Sequence, residues 1–380
     1  MRVSLLTYST RPRGGVVHTL ALAEALAGAG AEVEVWTLAR GGDGGFFRPV
    51  DPVVRVRAVE LAEVPGESVG DRIVRSIDVL AAGLRSGLQP GGIVHAQDCI
   101  STNAVIAAGR ECLRTVHHLD DFTTEQLRRC HERAIVEPVA HVCVSAAVAA
   151  ELAAGWGITA TVIANGVDAP AFAAAASADP TAAAARRHWQ DEFGRYVLSV
   201  GGIEPRKGTA DLVEAIALLR RRDPTVAWVV AGGETLFDYR DYRDRVLARA
   251  SDLGVAPVLL GTVAQDDLPG LVAGAAAFAF PSTKEGFGMA AMEALAAGIP
   301  LVTRDLPVLR EVFDGAADFA TDPPGFADAL ARALRHPDPG RAARGRELAA
   351  AHTWTAAAAA HLDFYSGLSP SGFAGAARTG

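Results

Sequence analysis

Two glutamates, Glu285 and Glu293, bracket a glycine loop in the stretch PSTKEGFGMAAMEALAAGIP. An apolar run, AAAFAFPS, reads as a strand leading into the loop, and a helix is expected from near Met289. The loop then presents backbone N–H groups at a helix start, a place that favours anions and polar oxygens. Two carboxylates one loop apart can accept hydrogen bonds from two separate sets of hydroxyls. A nucleotide sugar offers two such sets, the sugar and the ribose, joined by a diphosphate. Spacing alone leaves the alternative equally open: a loop residue and a surface helix residue. A second stretch, VLSVGGIEPRKGTADLVEAIALL, places Arg206 and Lys207 where a strand ends and a helix is expected to open with Arg206-Lys207-Gly208. Two cations at a helix N-terminus suit a diphosphate, since charge-assisted hydrogen bonds are about twice as strong as neutral ones. As mere solvated charges they would sit badly, because the helix dipole disfavours cations there.

Two further stretches carry weaker signals. In RPRGGVVHTLALAEAL, Gly14 and Gly15 let the backbone approach a ligand closely, but the pattern is not the G-x-G-x-x-G of dinucleotide binding. His18, in the expected first turn, suits a structural role as readily as an acceptor-facing one. In LRTVHHLDDF a strand ends at His117-His118, which brings imidazoles to the sheet's C-terminal edge. His95, Asp98, Cys130, His131 and His141 show no regular metal-ligand spacing and are read as structural, so no metal is expected.

The E-x7-E spacing, with GFG after the first glutamate and EALAAGIP around the second, resembles glycosyltransferase family 4, retaining enzymes of the GT-B fold. The resemblance implies that Glu285 contacts donor-sugar hydroxyls, that Glu293 binds the ribose, and that the amides of Phe287, Gly288 and Met289 hold sugar or phosphate oxygens. It gives Lys207 the role of stabilising the leaving diphosphate. The family's usual arginine after the strand's glycine is Gly202 here, and Arg206 stands in for it, as in members that read EPRK. It sets Gly14 and Gly15 against the donor phosphates and matches His117 to a histidine near the reaction centre. His118 occupies a position where the family often has Asp, so the roles of the two histidines remain interchangeable. Val263 and Leu268, in GTVAQDDLPGLVAGA, resemble the loop that flanks the nucleobase. VIANGVDAPAF resembles the NGVD segment that ends a first domain. The resemblance runs from about Val3 to Tyr365.

These residues need a scaffold that delivers loops to one edge. Short apolar runs (VSLLTY, EVEVWTL, GGIVHA, LRTVHH, HVCVS, TVIA) alternate with helical stretches, the pattern of a parallel sheet wrapped by helices. The rhythm breaks over 173–194, which is Ala-rich, contains Asp179-Pro180 and reads as a linker or a small solvent-exposed helix, and restarts at RYVLSVGG. The expected class is α/β, with two doubly wound Rossmann-like domains facing across a cleft: 1–172 for the acceptor, a linker over 173–194, and 195–352 for the donor. A helix at 353–368 is expected to pack back on the first domain, followed by a flexible tail at 369–380.

Composition narrows the function classes. The net charge of −8 argues against a nucleic-acid partner. Four cysteines without a C-x-x-C fit a reduced, cytoplasmic chain, with the inner face of a membrane as a second location. No run of about 18 apolar residues is present. Arg and apolar side chains over 69–84 suit a lipid acceptor or an ordinary amphipathic helix, and the residues leave both open. Only Lys207 and Lys284 are lysines among 36 basic residues, and both lie in the two segments richest in candidate chemistry. There is no D-x-D, G-x-S-x-G or Walker A pattern. The expectation is a metal-independent retaining transferase with no cofactor, in which the nucleotide-diphosphate sugar is a substrate and the acceptor is a small molecule, a glycan or a lipid-linked group. A same-fold nucleotide-sugar epimerase and a non-catalytic nucleotide-sugar binder are the alternatives.

Overall fold

The computed structural model describes residues 1–41, 45–120, 122, 124–233 and 239–368. The chain divides into two units. Unit 1 is Met1–Gly166 with the C-terminal segment from Trp354, and unit 2 is Val167–Thr353. The tail expected at 369–380 lies outside the described residues.

Unit 1 holds a parallel sheet of seven strands: β1 (Arg2–Leu6), β2 (Glu32–Arg40), β3 (Arg55–Leu61), β4 (Ile93–Ala96), β5 (Leu113–Val116), β6 (Ala140–Cys143) and β7 (Thr161–Val162). Their order is β3-β2-β1-β4-β5-β6-β7. Val3, Leu5, Val33 and Val35 pack with Leu22 and Leu26 of the helix Gly14–Gly28 and with Tyr365 of the C-terminal helix Trp354–Gly367. The sequence pattern passed over β3 because RVRAVEL alternates arginine with apolar residues. It is an edge strand, so its arginines face solvent.

Unit 2 holds six parallel strands: β8 (Tyr196–Val200), β9 (Ala227–Ala231), β10 (Val258–Gly261), β11 (Ala277–Phe280), β12 (Leu301–Arg304) and β13 (Ala317–Ala320), in the order β10-β9-β8-β11-β12-β13. Leu212 and Ile216 of the helix Thr209–Arg220, with Phe326 and Leu330 of the helix Pro323–Arg335, cover Val197, Trp228, Ala277 and Val302.

Each sheet reverses its strand order once, between β1 and β4 in unit 1 and between β8 and β11 in unit 2. Open parallel sheets bind ligands at the carboxyl end of such a switch point.

Residues 173–194, expected as a linker or a small solvent-exposed helix, are mostly helical and belong to unit 2, and the helix Pro180–Phe193 has no buried residue. They complete the helix Ala169–Ala175 and form the helix Pro180–Phe193. The Asp179 carboxylate caps the second of these, and Pro180 occupies its first turn, where its missing N–H costs nothing. Asp-Pro therefore starts a helix here instead of breaking the chain. The helix Leu268–Gly274 packs on it through glycine: a Cβ on Gly270 would lie 3.2 Å from the Ala185 methyl. Among the described residues, no helix is long and apolar enough to cross a membrane.

Candidate active site

In unit 2 the loops after β8 and β11 meet at the switch point. Gly201 and Gly202 end β8, and Pro205–Lys207 then form a 3-10 turn. Gly208 follows with φ 64°, and the helix begins only at Thr209. The basic pair thus lies ahead of the helix, not in its first turn as the sequence suggested. Gly208 is the reason: its left-handed backbone closes the turn on itself and resets the chain direction. A Cβ there would lie 2.0 Å from the Pro281 carbonyl oxygen after β11, so glycine also permits the two loops to touch. Thr283 ties them further, its N–H donating to the Arg206 carbonyl at 2.8 Å.

Across this contact Lys207 Nζ donates to Glu285 Oε1 at 2.9 Å. The Arg206 guanidinium lies 2.7 Å from Glu204 and 3.5 Å from Glu285. Lys207 and Glu285 are only 17% and 12% exposed, so water screens the pair weakly. The Lys207 ammonium also sits 5.3 Å from the Phe280 ring centre, which fixes its stem. Gly202 and Ser282 line a small cavity beside Lys207, and the Ser282 hydroxyl is buried without a partner. Sequence reasoning missed Glu204, although an acid two residues before an arginine was the available signal.

From Glu285 the chain runs through Gly286 and Phe287 to Gly288, whose φ of 95° precedes the helix Met289–Ala296. No side chain caps this helix, nor the helices at Thr209 and Gly14. Elsewhere Ser68, Asp98, Thr124, Ser145 and Asp322 do cap their helices, while the helices Arg240–Asp252, Leu268–Gly274 and Pro307–Phe313 also start without a side-chain cap. Uncapped starts leave N–H groups for an outside acceptor. The Phe287 side chain is 3% exposed, with its ring 5.5 Å from that of His352, so only its backbone can serve a ligand. Glu293 lies farther along the same helix and is half-buried. Burial, reinforced by the charge of Asp168, pushes its carboxyl up to about 8. Val263 follows β10 and Leu268 opens the helix Leu268–Gly274, both half-buried, two strands away from β8.

Unit 1 gathers a different group. A Cβ on Gly15 would lie 3.8 Å from the His117 ring, and the His18 ring meets His117 edge-on at 4.8 Å. His18 is 1% exposed and also packs on Trp354, so it belongs to the interior of the unit. His118 instead sits 3.2 Å from Asp120. Of the two adjacent histidines, His117 is therefore the one beside the glycine loop. His95 and His361 complete a buried set: His95 Nδ1 lies 2.7 Å from the Tyr365 hydroxyl and its Nε2 2.9 Å from that of Thr115. Burial first, then neighbouring basic groups, lowers His117 to about 3, and burial lowers His361 to about 4. These rings are neutral at physiological pH and serve as hydrogen-bonding groups, not cations. Nε2 of His117 is buried with no hydrogen-bond partner among the described residues. The roles of His361 and Tyr365 were invisible in the sequence, because the C-terminal helix brings them to the sheet from far along the chain.

Residues 12–169 match the family described as glycosyltransferase family 4, and residues 184–342 match glycosyl transferases group 1. The D-inositol 3-phosphate glycosyltransferase of Frankia alni is 30% identical over 363 residues, spanning 86% of this chain and 88% of that protein. The chain belongs to the group 1, family 4 glycosyltransferases. The fold of this glycosyltransferase is GT-B, shared with sucrose-phosphate synthase from Thermosynechococcus elongatus at a TM-score of 0.76, with 20% identity over 96% of this chain and 98% of that one. Anabaena HepE, solved with UDP-glucose, superposes at a TM-score of 0.74, with 18% identity, covering 97% of this chain and 100% of that one.

Proposed function

We propose that this glycosyltransferase moves a sugar from a nucleotide-diphosphate sugar with retention of configuration and without a metal ion. The observation that carries this reading is the meeting of Lys207 and Arg206 with Glu285 at the switch point of unit 2, beside two uncapped helix starts. As the glycosidic bond breaks, negative charge builds on the diphosphate. Lys207, Arg206 and the amides at Gly288 and Met289 stabilise it, a preorganised response that needs no reorientation during the reaction. Glu285 holds Lys207 in place and keeps lone pairs for sugar hydroxyls, since a carboxylate accepts about four hydrogen bonds. The sugar becomes oxocarbenium-like, and the acceptor attacks from the face the diphosphate leaves, giving its proton to the departing phosphate. His117, neutral and with Nε2 unpartnered, orients the sugar.

A thermal-shift screen against UDP-, GDP- and ADP-sugars in the presence of EDTA tests the donor class and the metal independence together. UDP-sugars come first, since the HepE complex holds one. Stabilisation by at least one donor that persists in EDTA is expected. Indifference to all of them would remove the donor-site assignment. NMR of the transferred sugar reads the anomeric outcome, and an inverted product would overturn the retaining mechanism.

Glu293 gives a pH signature. Accepting ribose hydroxyls requires the carboxylate, whereas burial holds the empty site protonated up to about pH 8. Ligand binding therefore releases a proton, and affinity falls as pH drops below that value, by at most about tenfold per unit. UDP titrations of the wild type and Glu293→Gln from about pH 6.5 to about 9 are expected to diverge, with only the wild type gaining this extra affinity as pH rises towards 8. Parallel curves would exclude an ionised Glu293 from the complex.

A further inference from the structure

One buried side chain in unit 2 is bonded to both segments that carry the Lys207–Glu285 pair, and no role above uses it. Arg304 ends β12 and is 9% exposed. The ladder between β11 and β12 runs as far as Phe280 with Thr303, so the Pro281 carbonyl lies just beyond it. Arg304 Nε donates to that carbonyl at 2.8 Å. Its Nη1 donates to the Thr321 carbonyl, one residue past β13, at 3.0 Å. Its Nη2 donates to the Asp211 carboxylate in the first turn of the helix Thr209–Arg220. The guanidinium also lies 5.6 Å from the Phe326 ring centre. One planar fork therefore serves three segments at the C-terminal edge of the sheet.

Two of those segments lead directly to the candidate chemistry. Pro281 precedes Glu285 by four residues, and Asp211 follows Lys207 by four. Gly208 stands between them: a Cβ there would lie 2.0 Å from the Pro281 oxygen and 3.3 Å from Arg304 Nη2. The guanidinium thus sits at the close approach of the two loops and holds one with each side of its fork. A buried carbonyl needs a donor. Without Arg304, the Pro281 oxygen would turn towards another one and carry the start of the Glu285 loop with it. A lysine would not repair this, because one ammonium on a flexible stem cannot hold three acceptors spread in a plane.

We propose that Arg304 is a positioning residue for the transfer reaction: by bonding Pro281 and Asp211 at once, it sets the separation of Lys207 and Glu285 across Gly208. The catalytic consequence rests on the transferase reading, but the bracing of the loops does not. Lys207 faces the diphosphate and Glu285 the sugar, so a small error between them is felt as charge develops in the transition state. Nucleotide binding is less sensitive, because the ribose and base contacts assigned to Glu293, Val263 and Leu268 lie on other segments.

Three measurements on the full chain test this: hydrolysis of UDP-, GDP- and ADP-glucose, titration with UDP, and amide exchange at Thr283, whose N–H bonds the Arg206 carbonyl across the two loops at 2.8 Å. Arg304→Met keeps an apolar stem and removes the fork. It is expected to lower kcat by about tenfold or more and to speed Thr283 exchange by about tenfold, with UDP affinity within about threefold of the wild type. Arg304→Lys is expected to behave like Arg304→Met and not like the wild type. Val302→Ala, two residues back in β12 and deep in the core, lowers the melting temperature without touching either loop. It is expected to leave kcat and Thr283 exchange unchanged well below its melting temperature. Adding Arg304→Met to Lys207→Ala is expected to cost less than about threefold more turnover, since the effect passes through the pair that Lys207 makes. Equal losses of kcat in Arg304→Met and Val302→Ala would mark Arg304 as a stability residue only and overturn the proposal. Unchanged kcat or unchanged Thr283 exchange in Arg304→Met would do the same. If Arg304→Met fails to fold, Asp211→Asn decides, because its side chain is 42% exposed and tolerates the change. About threefold losses are expected there, and wild-type kcat and exchange would sink the proposal. A wild type that neither hydrolyses nor is stabilised by any of the three donors removes the transferase reading and the catalytic consequence together, while Thr283 exchange still reports whether Arg304 braces the loops.

Discussion

Lys207→Ala lowers turnover by about 10²-fold or more, the loss of roughly 2.7 kcal/mol of transition-state stabilisation. The size follows from the surroundings. The ammonium is largely withdrawn from water, so its interaction with developing phosphate charge is little screened. Its removal also takes from Glu285, 12% exposed, the cation at 2.9 Å, while the Arg206 guanidinium stands farther off at 3.5 Å. That carboxylate would then repel the diphosphate it faces. Slow donor hydrolysis, with water as acceptor, provides an assay before the natural acceptor is identified. A loss confined to kcat, with KM for the donor nearly unchanged, marks an interaction made chiefly in the transition state. Turnover within about threefold of the wild type, under half a pKa unit's worth of energy, would contradict the diphosphate role.

Gly208→Ala damages the same site without removing a charge. The new Cβ would need to occupy space 2.0 Å from the Pro281 oxygen, a backbone atom that also accepts a bond from Arg304 Nε at 2.8 Å. Neither partner is a flexible side-chain end. The φ of 64° adds a conformational cost of about 1–3 kcal/mol, and overpacking adds about the same. For a unit of the size of Val167–Thr353 that corresponds to a fall in melting temperature on the order of 10 °C. The turn carrying Arg206 and Lys207 must move away from the loop carrying Glu285, so donor-induced stabilisation disappears along with the lost stability. Gly28→Ala is the control, since nothing lies within 4 Å of its Cβ position. A Gly208→Ala protein that melts within about 1 °C of the wild type would refute the contact between the two loops.

The meeting of the Lys207 and Glu285 loops in unit 2 was legible because it rests on two uninterrupted stretches, each a strand, a glycine loop and a helix start. The one local error, the helix start at Arg206, arose because a 3-10 turn and the first turn of an α-helix share the same residue preferences. The arrangement in unit 1 was far less legible, for two physical reasons. His95 and Tyr365 are 270 residues apart, and no local pattern reports a contact at that range. Arg13, which donates to the Tyr8 hydroxyl at 2.7 Å, was hidden by composition: when nearly every basic residue is arginine, residue type says nothing about which ones pack inside. The edge strands followed the same logic. The buried central strands showed as apolar runs, whereas β3 carries charges along its open side and β13, ADFA, is broken by an acid within its four residues.

One feature of connectivity governs how the molecule is made. Unit 1 is written in two pieces, and the second begins only at Trp354, after all of unit 2. On a ribosome the first 166 residues wait without the helix that seats against His18 and bonds His95, leaving apolar surface of the β1–β2 region open. Closing a free loop of that length would cost about 5 kcal/mol in chain entropy. Unit 2 removes most of that cost when it folds, because its own ends pair side by side through the bridge of Val167 with Thr353. The inserted unit thus acts as a clasp that returns the last helix to its starting point, and the order of assembly is set from the inside of the sequence outward.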